Sequence, residues 1–164
     1  MTAAPAAGML APARALALAV PALLLAGAWG FQLIGGFYPC EMCHWQRWAH
    51  YAALVPAVLA YLASGSRQLS RGLVLLAGLA ILASGAIGIF HAGVEYHWWS
   101  GLTRCTSVAL GGGDPLKALL AAPLIRCDTA AWTLFGVSMA GFNALFSLAG
   151  GIAIWALCLT RPAR

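Results

Sequence analysis

Four apolar runs, at about 14–34, 43–63, 73–92 and 138–159, decide what this chain can fold into. Each matches the roughly 20 residues that a helix needs to cross the hydrocarbon of a bilayer. Only 8% of the residues are charged, against about 25% in a soluble domain. Polar side chains cannot cover such a surface, so lipid must. The expected fold class is an all-α membrane protein, a single integral domain over 1–164. It would be a four-transmembrane-helix bundle with a long outer loop at about 93–137. Residues 1–13 read as a loose Ala/Pro-rich tail. A cleaved signal peptide competes for the first run, but the run continues to Gly35-Gly36, which would end a helix. Pro21 is a possible kink within it. Ala22, Ala26 and Gly30, and again Ala80, Ser84, Gly88 and Ala92, recur at four-residue spacing. Such stripes of small residues suit close helix contact.

The placement of charge predicts an orientation. Arg14, Arg67, Arg71, Arg161 and Arg164 fall on one side of the runs, and no acid joins them. Glu41, Glu95, Asp114 and Asp128 all fall on the other. By the positive-inside rule both termini are cytoplasmic. Tyr38, Trp45, Trp48, Tyr96, Trp98, Trp99 and Trp132 crowd the outer boundary, where an aromatic belt belongs. The formal net charge of +5 forms no basic stripe, so nucleic acid is not an expected partner.

Chemistry concentrates at Cys40-Glu41-Met42-Cys43, which opens the second run just after Pro39. A helix N-terminus favours thiolate over thiol. Arg47 lies four residues after Cys43, so one turn brings its cation to the same face. His50 follows at the next turn. An arginine one turn inside the boundary is tolerable, and a negative partner would offset its cost. His91 ends the third run at the outer boundary; it either meets a substrate or merely snorkels. His44 and His50 read as packing or interface residues, and Cys158 as a structural thiol.

The outer loop carries a second pair, Cys105 and Cys127. Between them Gly111-Gly112-Gly113 reads as a hinge, and Asp114 can cap a helix that starts at Pro115 and stops at Pro123. Leu116, Leu119 and Leu120 share one face of that helix. It would lie on the membrane surface or pack on the bundle as an ordinary loop helix. The outer compartment of a bacterium is oxidising, so disulfide chemistry is permitted there.

Two dithiols on one side of a membrane suggest a thiol relay, with electrons passing through mixed disulfides. The chain has no flavin or nicotinamide fingerprint. An acceptor dissolved in the bilayer would reach Cys43, Arg47 and His91 directly. Three rival readings stand beside this one. Cys40-x-x-Cys43-His44 also spells the attachment signature of c-type haem, with His44 as axial ligand. The four thiols could bind zinc. The chain could also be a non-catalytic membrane scaffold.

With these features the chain resembles the DsbB family, the disulfide-bond formation proteins of bacterial inner membranes. The resemblance covers nearly the whole chain. It rests on four spans, C-x-x-C at the start of the second, an arginine four residues after its second cysteine, and a cysteine pair in the second outer loop. The resemblance implies oxidation of a periplasmic DsbA-like protein and reduction of a membrane quinone, ubiquinone or menaquinone. It makes Cys40, Cys43, Cys105 and Cys127 catalytic, and Arg47 and His91 quinone-binding. Cys43 would face the quinone ring, Cys105 would form the mixed disulfide with the partner, and Cys127 would then engage Cys40. His44 is not required by the family's pattern, and the outer loop is rather compact. The related fold of vitamin K epoxide reductases places its C-x-x-C late in the chain, so the order here argues against it.

Overall fold

The computed structural model describes residues 9–102, 106–107 and 124–160. Cys105, the expected helix at 115–123, and Arg161 and Arg164 lie outside these residues. Four helices form the body: α1 (Leu10–Leu33), α2 (Glu41–Leu62), α3 (Arg67–Glu95) and α4 (Met139–Leu159). Helix α1 packs on α2 and α4, and α3 packs on the same two. Neighbours run antiparallel. Arg14 Nε, early in α1, donates to Ser70 Oγ at the start of α3 (2.8 Å), and that hydroxyl donates to Ala60 O at the end of α2 (2.8 Å). At the other end, the Ser138 amide beside α4 donates to the Tyr96 hydroxyl just past α3 (2.9 Å).

The packing is inverted relative to a soluble bundle. Ala13, Ala17, Ala53, Ala57, Ala60 and Ala77 fill the core. Leu23, Leu33, Leu62 and Ile152 point outward and are each more than half exposed. Gln46, His50, Ser84, His91 and Ser147 are buried. Small and polar groups inside with large aliphatics outside is the arrangement of a helix bundle solvated by lipid. Helices α1, α3 and α4 are long and apolar enough to cross a membrane. Helix α2 is similar in length, but its first turns carry Glu41, His44, Gln46, Arg47 and His50.

The helix bounds differ from the apolar runs at two places, and one packing stripe is corrected. The polar turn between the second and third runs is short, because Arg67 and Arg71 already belong to α3. That helix also continues past residue 92 to Glu95. The small-residue stripe of α1 is displaced by one position. Ala13, Ala17, Pro21 and Leu25 are its buried line, whereas Ala22 and Ala26 are exposed. The stripe of α3 is buried at Ser84, Gly88 and Ala92. A Cβ on Gly88 would stand 3.0 Å from both Ala140 O and Ala144 N, so the glycine lets the α3 and α4 backbones touch.

Two short antiparallel ladders hold the loop. Strand β1 (Thr106–Ser107) pairs with β2 (Leu124–Ile125), with Thr106 opposite Ile125. Strand β3 (Thr133–Leu134) pairs with β4 (Val137–Ser138). The hairpin between them turns on Phe135 and Gly136, both at positive φ (51° and 78°). A two-residue turn of this hand follows the twist of the strands.

Candidate functional site

The start of α2 is built on a thiol. Cys40 is the N-cap residue, and its Sγ accepts from the Cys43 amide at 3.2 Å. Thiol thus takes the place of the usual Ser or Asp cap. Pro39 stands one position outside the helix. The cap brings Cys40 Sγ to 2.6 Å from Cys43 Sγ. The hydrogen bond to Cys43, and then burial, push the Cys40 thiol well above its ordinary range.

Arg47 lies one turn on and is buried. Its partners are all on α1. One terminal nitrogen donates to Gln32 Oε1, the other donates to Ala28 O at 3.0 Å, and the guanidinium sits 5.4 Å from the centre of the Trp29 ring. Among the described residues no carboxylate pairs with it. A carbonyl, an amide and an indole face hold the cation in place of the expected negative partner.

His91 is 2% exposed. Gln46 Nε2 donates one hydrogen to Met42 O (3.2 Å) and the other to His91 Nδ1 (2.9 Å), while its Oε1 accepts from Asn143 Nδ2 (2.8 Å). With both amide hydrogens used as donors, Nδ1 is an acceptor, and the neutral ring carries its hydrogen on Nε2. That Nε2 lies 3.5 Å from Cys40 Sγ and 3.7 Å from Glu95 Oε1. The Cys127 backbone also hydrogen-bonds the ring. One donor atom each from Cys40, His91 and Cys127 fall within 4.8 Å of one another. Three thiols from two distant segments thus gather around one buried imidazole.

The same network runs deeper. Asn143 Nδ2 donates to Ser84 O and Oγ, both at 3.1 Å, and Asn143 Oδ1 lies 2.9 Å from His50 Nε2. His50 is thus a buried network residue. His44 is exposed against Trp48, with ring centres 6.3 Å apart. The haem reading needs His44 as a ligand, yet that ring is exposed beside Trp48 and takes no part in the buried network.

Beside the cluster lies a cavity of about 660 Å³. Leu23, Leu24 and Phe31 of α1 and Phe142 and Phe146 of α4 form its apolar walls. Cys43, Gln46, Arg47, His91, Glu95 and Asn143 supply its polar groups. The volume falls in the range of small-molecule sites.

Cys40, Cys43, Arg47, His91 and Cys127 therefore meet at one end of the bundle; Cys105 lies outside the described residues. Cys158 is buried in the alanine core, far along α4. Sequence reasoning missed Gln46, Asn143, Gln32 and the placement of Glu95, and it named Ser84 only for packing, not for its hydrogen bonds. The available signal was a polar side chain inside an apolar run, which is rarely idle in a membrane.

The family model for "Disulfide bond formation protein DsbB" matches residues 11–158. No curated protein and no solved structure matches the chain.

Proposed function

The chain belongs to the DsbB family, and from that premise we propose that it oxidises the dithiol of a periplasmic DsbA-like protein and passes the electrons through two cysteine pairs to membrane quinone. Membership makes it a disulfide-forming oxidoreductase in a membrane. The quinone, the partner and the route are our reading. The observation that carries it is the gathering of Cys40, Cys43 and Cys127 around His91, at the wall of an apolar cavity.

The residues fit a quinone. Its ring is flat and apolar, with carbonyl acceptors at opposite edges. The cavity offers aromatic walls and a buried guanidinium one turn from Cys43. When bound, the quinone supplies a two-electron acceptor. The chain supplies the thiols and their order. A thiolate of the partner attacks Cys105 of a Cys105–Cys127 disulfide and releases Cys127 as thiolate. Cys127 then attacks Cys40 of a Cys40–Cys43 disulfide, forming a Cys40–Cys127 bond and releasing Cys43 at the cavity. Thr106, next after Cys105, is opposite Ile125, two residues before Cys127; this supports the outer pairing. Arg47 is the cation beside Cys43, and His91 offers Cys40 an N–H.

We further propose the bacterial inner membrane, with both termini cytoplasmic and the reactive cysteines periplasmic. Arg14, Arg67 and Arg71 sit at the end of the bundle opposite Cys40, Cys127 and Glu95, which supports this orientation.

The test is a trapping experiment. Cys43→Ser combined with Cys105→Ser leaves only Cys40 and Cys127 at the site. Mild oxidation and peptide mass spectrometry should then find a Cys40–Cys127 cross-link in most molecules. Two free thiols after oxidation would reject the route.

A further inference from the structure

His91 Nδ1 accepts from Gln46, so the neutral ring carries its one hydrogen on Nε2. The Cys127 backbone hydrogen-bonds this ring. A backbone N–H would find no lone pair free on either nitrogen. The partner is therefore the Cys127 carbonyl, and Nε2–H is the donor. The same N–H lies 3.5 Å from Cys40 Sγ, the looser contact of a sulfur acceptor, whereas Glu95 Oε1 at 3.7 Å is beyond hydrogen-bond reach. One hydrogen thus touches both residues that must exchange sulfurs.

Two backbone carbonyls fix the direction of this donor. Ser84 O and Met42 O can only accept, so Asn143 Nδ2 turns to the first and Gln46 Nε2 to the second. Asn143 Nδ2 also donates to Gln46 Oε1, which leaves Gln46 Nε2 to donate to His91. On its other side the Cys127 segment is tied to the outer pair. Ile125 is opposite Thr106, the neighbour of Cys105, and also packs on the apolar cluster of Cys40, Met42, Val94 and Cys127.

We infer that His91 is a positioning residue for Cys127, its Nε2–H seating the loop so that the Cys127 sulfur stands at Cys40 Sγ. The inference rests on the relay proposed above and gives His91 a task besides lining the cavity. In the step served, the Cys127 thiolate attacks Cys40 of the Cys40–Cys43 disulfide. A Cys127–Cys40 bond forms, the Cys40–Cys43 bond breaks, and its electron pair leaves on Cys43, whose Sγ is 2.6 Å from Cys40 Sγ. His91 neither gains nor loses a proton. Holding a nucleophile in reach of its target converts a loose encounter into an effectively unimolecular step.

The test measures effective concentrations by glutathione exchange, on full-length protein in detergent without quinone. Cys43→Ser with Cys105→Ser reports the Cys40–Cys127 pair; Cys40→Ser with Cys43→Ser reports the Cys105–Cys127 pair. Each is equilibrated over a range of reduced to oxidised glutathione, quenched, alkylated and read by peptide mass spectrometry. His91→Phe keeps a flat ring without the N–H. It should lower the Cys40–Cys127 effective concentration about fivefold, as the loss of one hydrogen bond does, and leave Cys105–Cys127 unmoved. His91→Gln, whose amide can place an N–H near the same point, should recover part of the loss. If His91→Phe does not fold, His91→Met against His91→Gln decides in its place. An unmoved Cys40–Cys127 value, an equal fall in both pairs, or no recovery in His91→Gln overturns the inference. No Cys40–Cys127 disulfide at any glutathione ratio with His91 intact instead rejects the relay, and the seating role with it.

Discussion

Gln46 Nε2 lies 2.9 Å from His91 Nδ1, and this contact selects the nitrogen that His91 turns toward Cys40. Gln46→Leu should leave His91 Nδ1 without its donor, while Asn143 Nδ2 keeps Ser84. A buried group left unsatisfied costs about 1–3 kcal/mol. Thermal unfolding in detergent should show the loss, and turnover should fall with it. A variant as stable and as active as wild type would mean that the amide does not orient the ring.

Arg47 is held by two acceptors that its own fork of N–H donors reaches, Gln32 Oε1 and Ala28 O, and by the Trp29 face, with no carboxylate pairing among the described residues. A lysine keeps the charge but lacks the planar fork and stacks poorly. Arg47→Ala should raise the apparent KM for quinone by roughly tenfold or more, equivalent to about 1.4 kcal/mol of lost binding. Arg47→Lys should recover only a small part. Steady-state kinetics at varied quinone will decide, and wild-type behaviour in the lysine variant would reduce Arg47 to a simple point charge.

The limits of sequence reading follow from distance along the chain. The dithiol, its cation one turn away and the apolar runs are local patterns, so they were legible. The cap at Cys40 is nearly so: a helix start beside Pro39 is legible, but nothing in the local pattern says that the Cys40 thiol itself caps the helix. The stripe of α1 was misread by one position, because alanine and leucine populate every face of that helix and only packing selects Ala13, Ala17 and Pro21. Contacts such as Gln46–His91 and Asn143–Gln46 join different helices, and no periodicity encodes them. The approach of Cys127 to Cys40 was expected only through family resemblance, since a loop thiol has no pattern to fix its reach.

Gly88 should be far less replaceable than its neighbours suggest. Its missing Cβ makes room for the α4 backbone at Ala140 and Ala144. Gly88→Ala should destabilise the bundle by about 1–3 kcal/mol through overpacking. Gly72→Ala, in the same helix but facing open space, should be neutral or slightly stabilising. Equal unfolding temperatures for the two variants would contradict the α3–α4 contact.

The reduced protein should lose stability in alkali. Folding raises the Cys40 thiol above its ordinary value of 9.0, first through its bond to Cys43 and then through burial. The folded state therefore holds a proton that the unfolded chain releases. This contribution is fully present below pH 9.0 and declines as pH rises above it toward the folded value. Unfolding of the reduced protein between pH 8 and pH 10.5, about the range a thiol spans, should show the decline, and Cys40→Ser should lessen it. A Cys40→Ser profile that falls as steeply as wild type would assign the effect elsewhere.

The central claim is that electrons enter at the Cys105–Cys127 pair, pass from Cys127 to Cys40 and leave through Cys43. The most direct measurement is an anaerobic titration of the purified protein with a reduced DsbA-like dithiol and a short-chain quinone, counting thiols and quinone together. One quinone should be reduced for each dithiol oxidised. Cys43→Ser should abolish quinone loss while the outer pair still accepts electrons once. Dithiol oxidation without quinone loss, or undiminished quinone reduction in Cys43→Ser, would contradict that route.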